Sequence, residues 1–239
     1  HFTIFRDGVG SHRALFRTLS IMPPVPHSRS PRLWGTFSAS GGAGATTLTL
    51  HLARIATRLG QRVLIVESDI RAPLREILGA APPFWEEYRR TSALVKAEAL
   101  PQNLRTGFAL LTRRSSAPIP EEIFIELCTV AGAHFDLVLF DNPSHRIPSM
   151  NAMFVAENTL PSLIGLSALM PELKPQLVII NKHSARIKKR AALEGFVTDA
   201  KIFTLPQSHD LHLALGLGAL RKLSRQNEER ITVIAREIL

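Results

Sequence analysis

Two groups of residues carry chemistry by their type and spacing. Residues 38–47 read S-A-S-G-G-A-G-A-T-T, a glycine-rich turn with two hydroxyls. The apolar run L-W-G-T-F precedes it and the helically periodic L-T-L-H-L-A-R-I-A-T-R-L-G follows. A strand, such a turn and a helix together offer backbone N–H donors and a positive helix end to an anion. Further along, R-V-L-I-V-E-S-D closes an apolar run with Glu67 and Asp69, and F-D-L-V-L-F-D closes another with Asp141. A carboxylate at such a strand end can hold a Mg²⁺-bound water, although capping of a strand-to-helix turn uses the same residue types.

The complete phosphate loop, G-x-x-x-x-G-K-[ST], adds a lysine for the outer phosphates and a hydroxyl for Mg²⁺. Aligned to it, the window is Ala39 to Thr46: Gly44 and Thr46 match, Ala39 stands at the first glycine, and Ala45 stands at the lysine. The backbone of Gly41, Gly42, Ala43, Gly44, Ala45, Thr46 and Thr47 can still donate to a phosphate, because an N–H group needs no side chain.

These groups need a scaffold that gathers strand ends. Apolar runs alternate with helical periodicity from Arg32 onward. The strand candidates are L-W-G-T-F-S, R-V-L-I-V-E, F-A-L-L-T, F-D-L-V-L-F-D, P-S-L-I-G-L, Q-L-V-I-I-N and K-I-F-T-L-P. Near-continuous apolar strands are buried on both faces. The expected fold is therefore α/β, three layers with a doubly wound, mostly parallel sheet between helices. Helices are expected over Thr47 to Leu59, with Leu48, Leu52, Ile55 and Leu59 on one stripe ended by Gly60, and over Phe84 to Leu100. Two more are expected over Pro118 to Ala133 and Arg225 to Leu239, the last with Ile231, Ile234 and Ile238 on one side. Residues 1–31 read as an arm, with a short helix near Ser11 to Leu19 and a proline-rich linker, before one domain over 32–239. The chain begins at His1, so a fragment of a longer protein is expected.

The balance of 29 Lys+Arg against 20 Asp+Glu gives a formal charge of +9, which suits an acidic neighbour or a solvated basic face. The single Cys128 rules out an internal disulfide and points to a reducing compartment. The longest apolar stretch, N-T-L-P-S-L-I-G-L-S-A-L-M, is broken by Pro161 and Gly165, so a soluble or peripheral protein is expected.

Taken together, these residues resemble the MinD/ParA group of deviant Walker phosphate-loop ATPases. Its K-G-G-V-G-K-T-T is matched by S-G-G-A-G-A-T-T, its D-x-D by Glu67-Ser68-Asp69, and its Walker B aspartate by Asp141. I-I-N-K-H resembles the turn that faces adenine, which points to Asn181, and L-P-Q-S-H-D-L-H-L-A-L-G-L-G-A-L resembles the segment that follows. The resemblance implies ATP or ADP with Mg²⁺ as ligand, Thr46, Asp69 and Asp141 around the metal, and Asp69 and Glu67 as catalytic carboxylates. It also implies a homodimer.

The departures are specific. Ser40 replaces the lysine that crosses the family's dimer, Ala45 replaces the ordinary Walker lysine, and Glu67 is a methylene longer than aspartate. Loss of one transition-state charge contact costs on the order of 100-fold or more in rate. A degenerate ATPase that binds nucleotide weakly or not at all is expected. An active enzyme would need a substitute cation, for which Arg71, Arg113 and Arg114 are the candidates near the strand ends.

Two branches of the group share further motifs. H-R-A-L-F-R-T-L, the E-S-D-I-R-A-P run and L-L-T-R-R-S-S-A-P-I-P-E-E-I-F resemble the capsular and exopolysaccharide branch. Ala45 resembles the loop of the CpaE/TadZ pilus-assembly branch. The first is favoured, and it implies a partner in a cell-envelope assembly complex at the inner face of the plasma membrane. Tyrosine autophosphorylation is not expected, since Tyr88 is the only tyrosine and the chain ends I-A-R-E-I-L. The run H-S-A-R-I-K-K-R suits anionic membrane or a solvated helix start; nucleic acid is the less favoured partner, without aromatics among the basic residues. His209 and His212 could share a helical face, but no metal spacing is trusted there.

Overall fold

Parallel pairing of buried apolar strands organises the described residues. The structure, a computed structural model, describes residues 32–38, 40–69, 73–78, 84, 107–113, 117, 119–144, 146–183, 200–212, 215–216 and 219–239. The elements in chain order are β1 (Arg32–Ser38), α1 (Ala45–Arg58), β2 (Val63–Glu67), α2 (Pro73–Leu78), β3 (Ala109–Leu111), α3 (Glu121–His134), β4 (Leu137–Asp141) and β5 (Asn151–Glu157). They continue with α4 (Leu160–Leu173), β6 (Leu177–His183), β7 (Lys201–Pro206), α5 (His209–His212), β8 (Leu215–Gly216), β9 (Ala219–Leu220) and α6 (Arg225–Ile238). Strands β1 to β7 form one sheet in the order β3-β2-β4-β1-β5-β6-β7, with every pairing parallel. A small antiparallel pair, β8 and β9, stands apart from it.

Side chains of each strand alternate between two apolar layers, which makes the sheet the middle of three. Leu64, Val66, Val138 and Phe140 face the layer that contains Phe124 and Leu127 of α3 and Leu166 of α4. Ile65, Leu137 and Leu139 face the opposite layer, with Leu52 and Ile55 of α1 and Ile231 and Ile234 of α6. The expected α/β doubly wound architecture is observed.

Two strand expectations change. P-S-L-I-G-L is the first half of α4, not a strand, because Pro161 falls at the start of a helix, where its missing N–H has no intrahelical partner to lose. The strand in this part of the sheet is N-A-M-F-V-A-E. Ala152, Phe154 and Ala156 enter one layer there, and Met153 and Val155 enter the other.

The helices follow their patterns with smaller shifts. α1 starts at Ala45 rather than Thr47, and Leu59 lies past its end at 41% exposure instead of on the buried stripe. Gly60 follows with φ 86°, the left-handed conformation that glycine adopts without steric penalty. In α3, Glu121 and Glu122 occupy the first turn, where acids complement the helix dipole. In α6, Ile231, Ile234 and Ile238 are all buried. Phe84 pairs with Thr112 as an isolated parallel bridge, so the helix expected to begin there does not; its remainder, and the arm over 1–31, lie outside the described residues.

Candidate functional site

The glycine-rich turn joins β1 to α1 at the carboxyl edge of the sheet, where ligands of open parallel sheets bind. Gly42 and Gly44 have φ of 83° and 95°, and a Cβ on Gly44 would collide with the Asn181 side-chain amide. Both the backbone conformation and the close approach therefore require glycine at 44. The first helical bond runs from Leu48 N to Gly44 O at 2.9 Å, and no side chain caps the helix start. The N–H groups of Ala45, Thr46 and Thr47 precede that bond, so the helix itself cannot satisfy them.

Asn181, at the end of β6, donates Nδ2 to Ala43 O at 2.8 Å. The neighbouring Lys182 donates Nζ to Gly42 O at 2.9 Å and pairs with Glu157 at the end of β5. A cavity of about 640 Å³ opens beside the turn, bordered by Gly44, Thr47, Asn181, Lys182, Gln207 and His209. Ser40 lies within 3.4 Å of Ser162 at the start of α4.

The acids converge on the other side of the turn. Asp141 is fully buried and accepts from Thr46 Oγ1 at 2.9 Å and Thr49 Oγ1 at 3.4 Å. Burial pushes its carboxyl up to about 7, and the charges of Asp69 and Glu67 push the same way against the threonine hydrogen bonds. Asp69 accepts from Asn142 Nδ2 at 3.2 Å. Glu67 sits opposite Asp141 in the β2–β4 register, and its two oxygens accept the backbone N–H groups of Leu74 and Arg113. That carboxylate ties the start of α2 and the end of β3 to the edge of β2.

Thr46 thus joins the turn to Asp141, whose charge neighbours are Asp69 and Glu67, while Ala43 and Gly44 meet Asn181. A hydroxyl on a buried carboxylate with a second acid nearby is a hard-oxygen set suited to Mg²⁺, which takes one or two carboxylates and completes its shell with waters and phosphate oxygens. Among the described residues no group of three or more His, Cys, Asp or Glu could hold a metal ion unaided. The protein's donors therefore fit a cation that arrives with a phosphate-bearing ligand.

Arg113 does not stand ready as a substitute for the missing lysine. It is buried, and its guanidinium donates to the carbonyls of Ser68 and Ala117. Arg71, Arg114 and the basic residues 184–190 lie outside the described residues. His209 and His212 fall on the four-residue α5. Lys182 and Glu157 were not singled out by sequence reasoning; the signal available was a basic residue directly after Asn181 in I-I-N-K-H.

Comparisons with known proteins bear on the fold and the family. The chain is similar in fold to MinD in the MinC:MinD cell division complex of Aquifex aeolicus, with TM-score 0.70 and 21% identity over 87% of this chain and 95% of that one. It is also similar in fold to the septum site-determining protein MinD complexed with Mg-ADP from Pyrococcus horikoshii, at TM-score 0.66 and 18% identity over 87% and 96% of the two chains. A segment of 111 residues, 44% of this chain, is 31% identical to the putative tyrosine-protein kinase AmsA of Erwinia amylovora and spans 15% of that protein. The profile of the CobQ/CobB/MinD/ParA nucleotide binding domain matches residues 35–216. That match covers most of the chain, and the protein belongs to the CobQ/CobB/MinD/ParA nucleotide-binding family.

Proposed function

We propose that this protein is a regulatory member of the family that binds ATP or ADP with Mg²⁺ weakly, hydrolyses little, and acts through dimerisation and a protein partner in envelope polysaccharide synthesis or export. The observation that carries the reading is a phosphate turn that keeps its backbone while lacking lysine at 40 and 45. The N–H groups of Gly41 to Thr47 bind the phosphates, and Asn181, which borders the same cavity as the turn, is directed by the resemblance to the base. Thr46, Asp69 and Asp141 hold the cation, which when bound would neutralise phosphate charge and orient the phosphoryl group. Asp69 and Glu67 remain the candidates for positioning water, with Glu67 restrained by its two backbone hydrogen bonds.

Slow hydrolysis follows from charge. With both lysine positions neutral, each lost contact costs on the order of 100-fold or more in rate. The segment similar to AmsA supports the polysaccharide branch, as the three motifs around 12–19, 67–73 and 110–124 do. Ala45 favours the pilus-assembly alternative. An inner-membrane address with peripheral contact to anionic lipid is part of the first reading; among the described residues no helix is long and apolar enough to cross a membrane. Calorimetric titration with Mg-ATP, phosphate-release kinetics and light scattering with and without nucleotide test the proposal together. Sub-micromolar binding with turnover would defeat it.

A further inference from the structure

The turn lacks both of its expected lysines, yet a lysine stands against it from another strand. Lys182 has φ 55°, a left-handed conformation that long side chains rarely adopt. Asn181 Oδ1 accepts the Lys182 N–H at 2.9 Å and so fixes this bend, while Asn181 Nδ2 holds Ala43 O at 2.8 Å. Lys182 Nζ reaches the adjacent carbonyl, Gly42 O, at 2.9 Å. Two successive residues of β6 therefore grip two successive carbonyls of the turn, and the bend aims the second residue along it.

Lys182 also borders the 640 Å³ cavity together with Gly42, Gly44 and Thr47. Among the described residues lining that cavity it alone carries a permanent charge. Its counter-charge is Glu157, whose register partner across β5–β6 is Asn181, and whose Oε1 would lie 4.0 Å from a Cβ on Gly42. The lysine side chain is 41% exposed, which leaves its head free to turn toward the cavity mouth. A phosphate oxygen serves an ammonium as well as a carboxylate does, so an anionic ligand in the cavity competes with Glu157 for the same cation.

We propose that Lys182 is a ligand-binding residue, the cation that this chain brings from β6 to the phosphate groups of a bound nucleotide, held on Glu157 until that ligand is present. The proposal rests on the nucleotide reading of the cavity. In the free protein the lysine braces the turn through Gly42 O; in the bound protein it replaces, from outside the turn, part of the charge missing at Ala45 and Ser40. Exchange of one carboxylate for another anion leaves the lysine charged throughout, so no proton transfer is required.

Calorimetric titration of the full chain with ADP and, separately, with adenosine tests it, using Lys182→Gln, Lys182→Arg and Glu157→Gln, each checked for folding by circular dichroism. ADP affinity should fall by about tenfold in Lys182→Gln and recover in Lys182→Arg, with adenosine affinity unchanged, because a charge-assisted contact is lost only where phosphates are present. Glu157→Gln, which keeps the lysine and removes its competitor, should raise ADP affinity roughly threefold. Equal losses for ADP and adenosine in Lys182→Gln would mean a brace alone and would overturn the proposal, as would wild-type ADP affinity in that variant. If Lys182→Gln does not fold, Glu157→Gln decides by itself: an unchanged or lower ADP affinity overturns the proposal. A wild-type protein that binds neither ADP nor ATP at millimolar concentration overturns the nucleotide reading as well, and so separates the two failures.

Discussion

The two halves of the site differ in what they are made of. The turn over 40–47 offers an anion backbone groups set by Gly42 and Gly44, whereas the facing half consists of carboxyl side chains: Asp141 and Glu67 fully buried and Asp69 nearly so. The backbone half tolerates side-chain loss, because its donors are supplied by conformation. The acid half does not, because buried carboxylates need a cation, protons or hydrogen-bond donors wherever they are packed. The acids accept hydrogen bonds from Thr46, Thr49, Asn142 and two backbone N–H groups, and burial pushes Asp141 up to about 7. On the proposed reading, the anion-binding turn can persist where the acid half has no lysine beside it.

The strongest way to break this contrast is Gly44→Val. It places a β-branched residue at φ 95° and drives a Cβ into the Asn181 amide. Nucleotide binding should disappear from calorimetry, and urea unfolding should show a loss of about 2 to 4 kcal/mol. A variant that binds as the wild type does would show that the turn is not the anion site.

Next in size is Asp141→Asn, which probes the acid half. The native carboxyl is raised from 3.8 to about 7, so the native state holds a proton that the unfolded chain releases across that window. The stability supplied by that proton is fully present below the unfolded value and lost as pH rises through 7. Wild-type stability should therefore drop by about 2 kcal/mol more than that of Asp141→Asn between about pH 5 and about pH 8, measured by urea unfolding. Parallel curves for the two proteins would locate the acid cluster's charge elsewhere.

Ala45→Lys tests whether the contrast can be undone. Restoring a lysine at the turn supplies a charge-assisted contact to phosphate, and ADP affinity should rise about tenfold. No gain would mean that the buried Ala45 position cannot release a lysine toward the ligand.

The smallest effect concerns the far face of α1, where the sign reverses. His51 is buried, accepts from Arg54 at its Nδ1 at 3.0 Å, and is held down to about 3 by burial, with Arg54 and Arg58 repelling its charge against attraction from Asp210. The native state keeps it neutral, so its contribution is present above the unfolded value of 6.5 and is lost as pH falls from there toward 3. Between about pH 7.5 and about pH 5.5 the wild type should lose about 1 kcal/mol relative to His51→Gln. One molecule then carries two regions with opposite pH slopes.

Much of this was legible in order of sequence because strand ends announce themselves. Gly41, Gly42 and Gly44 followed an apolar run, and Glu67, Asp69 and Asp141 each closed one. The interchange of β5 and α4 was not legible, since both segments are apolar and short-range periodicity does not separate a buried strand from a buried helix. Pro161 was the discriminating residue, readable as a break or as a helix start. Lys182 was hidden for a different reason. Its distance from Gly42 in the chain is 140 residues, and only the sheet order puts them in contact.

That same sheet order sets when the site comes into being. The hydrogen bond from Asn181 to Ala43 spans 138 residues, and that from Thr46 to Asp141 spans 95. Parallel strands close only through long crossovers, which makes their assembly slow and keeps loop-closure entropy unpaid until distant partners meet. A nascent or truncated chain that ends before β6 has the whole glycine turn in sequence, yet lacks the residue that sets its shape. On the proposed reading ligand capture is a late event of folding, and protection by ADP during refolding would report that the last strands have docked.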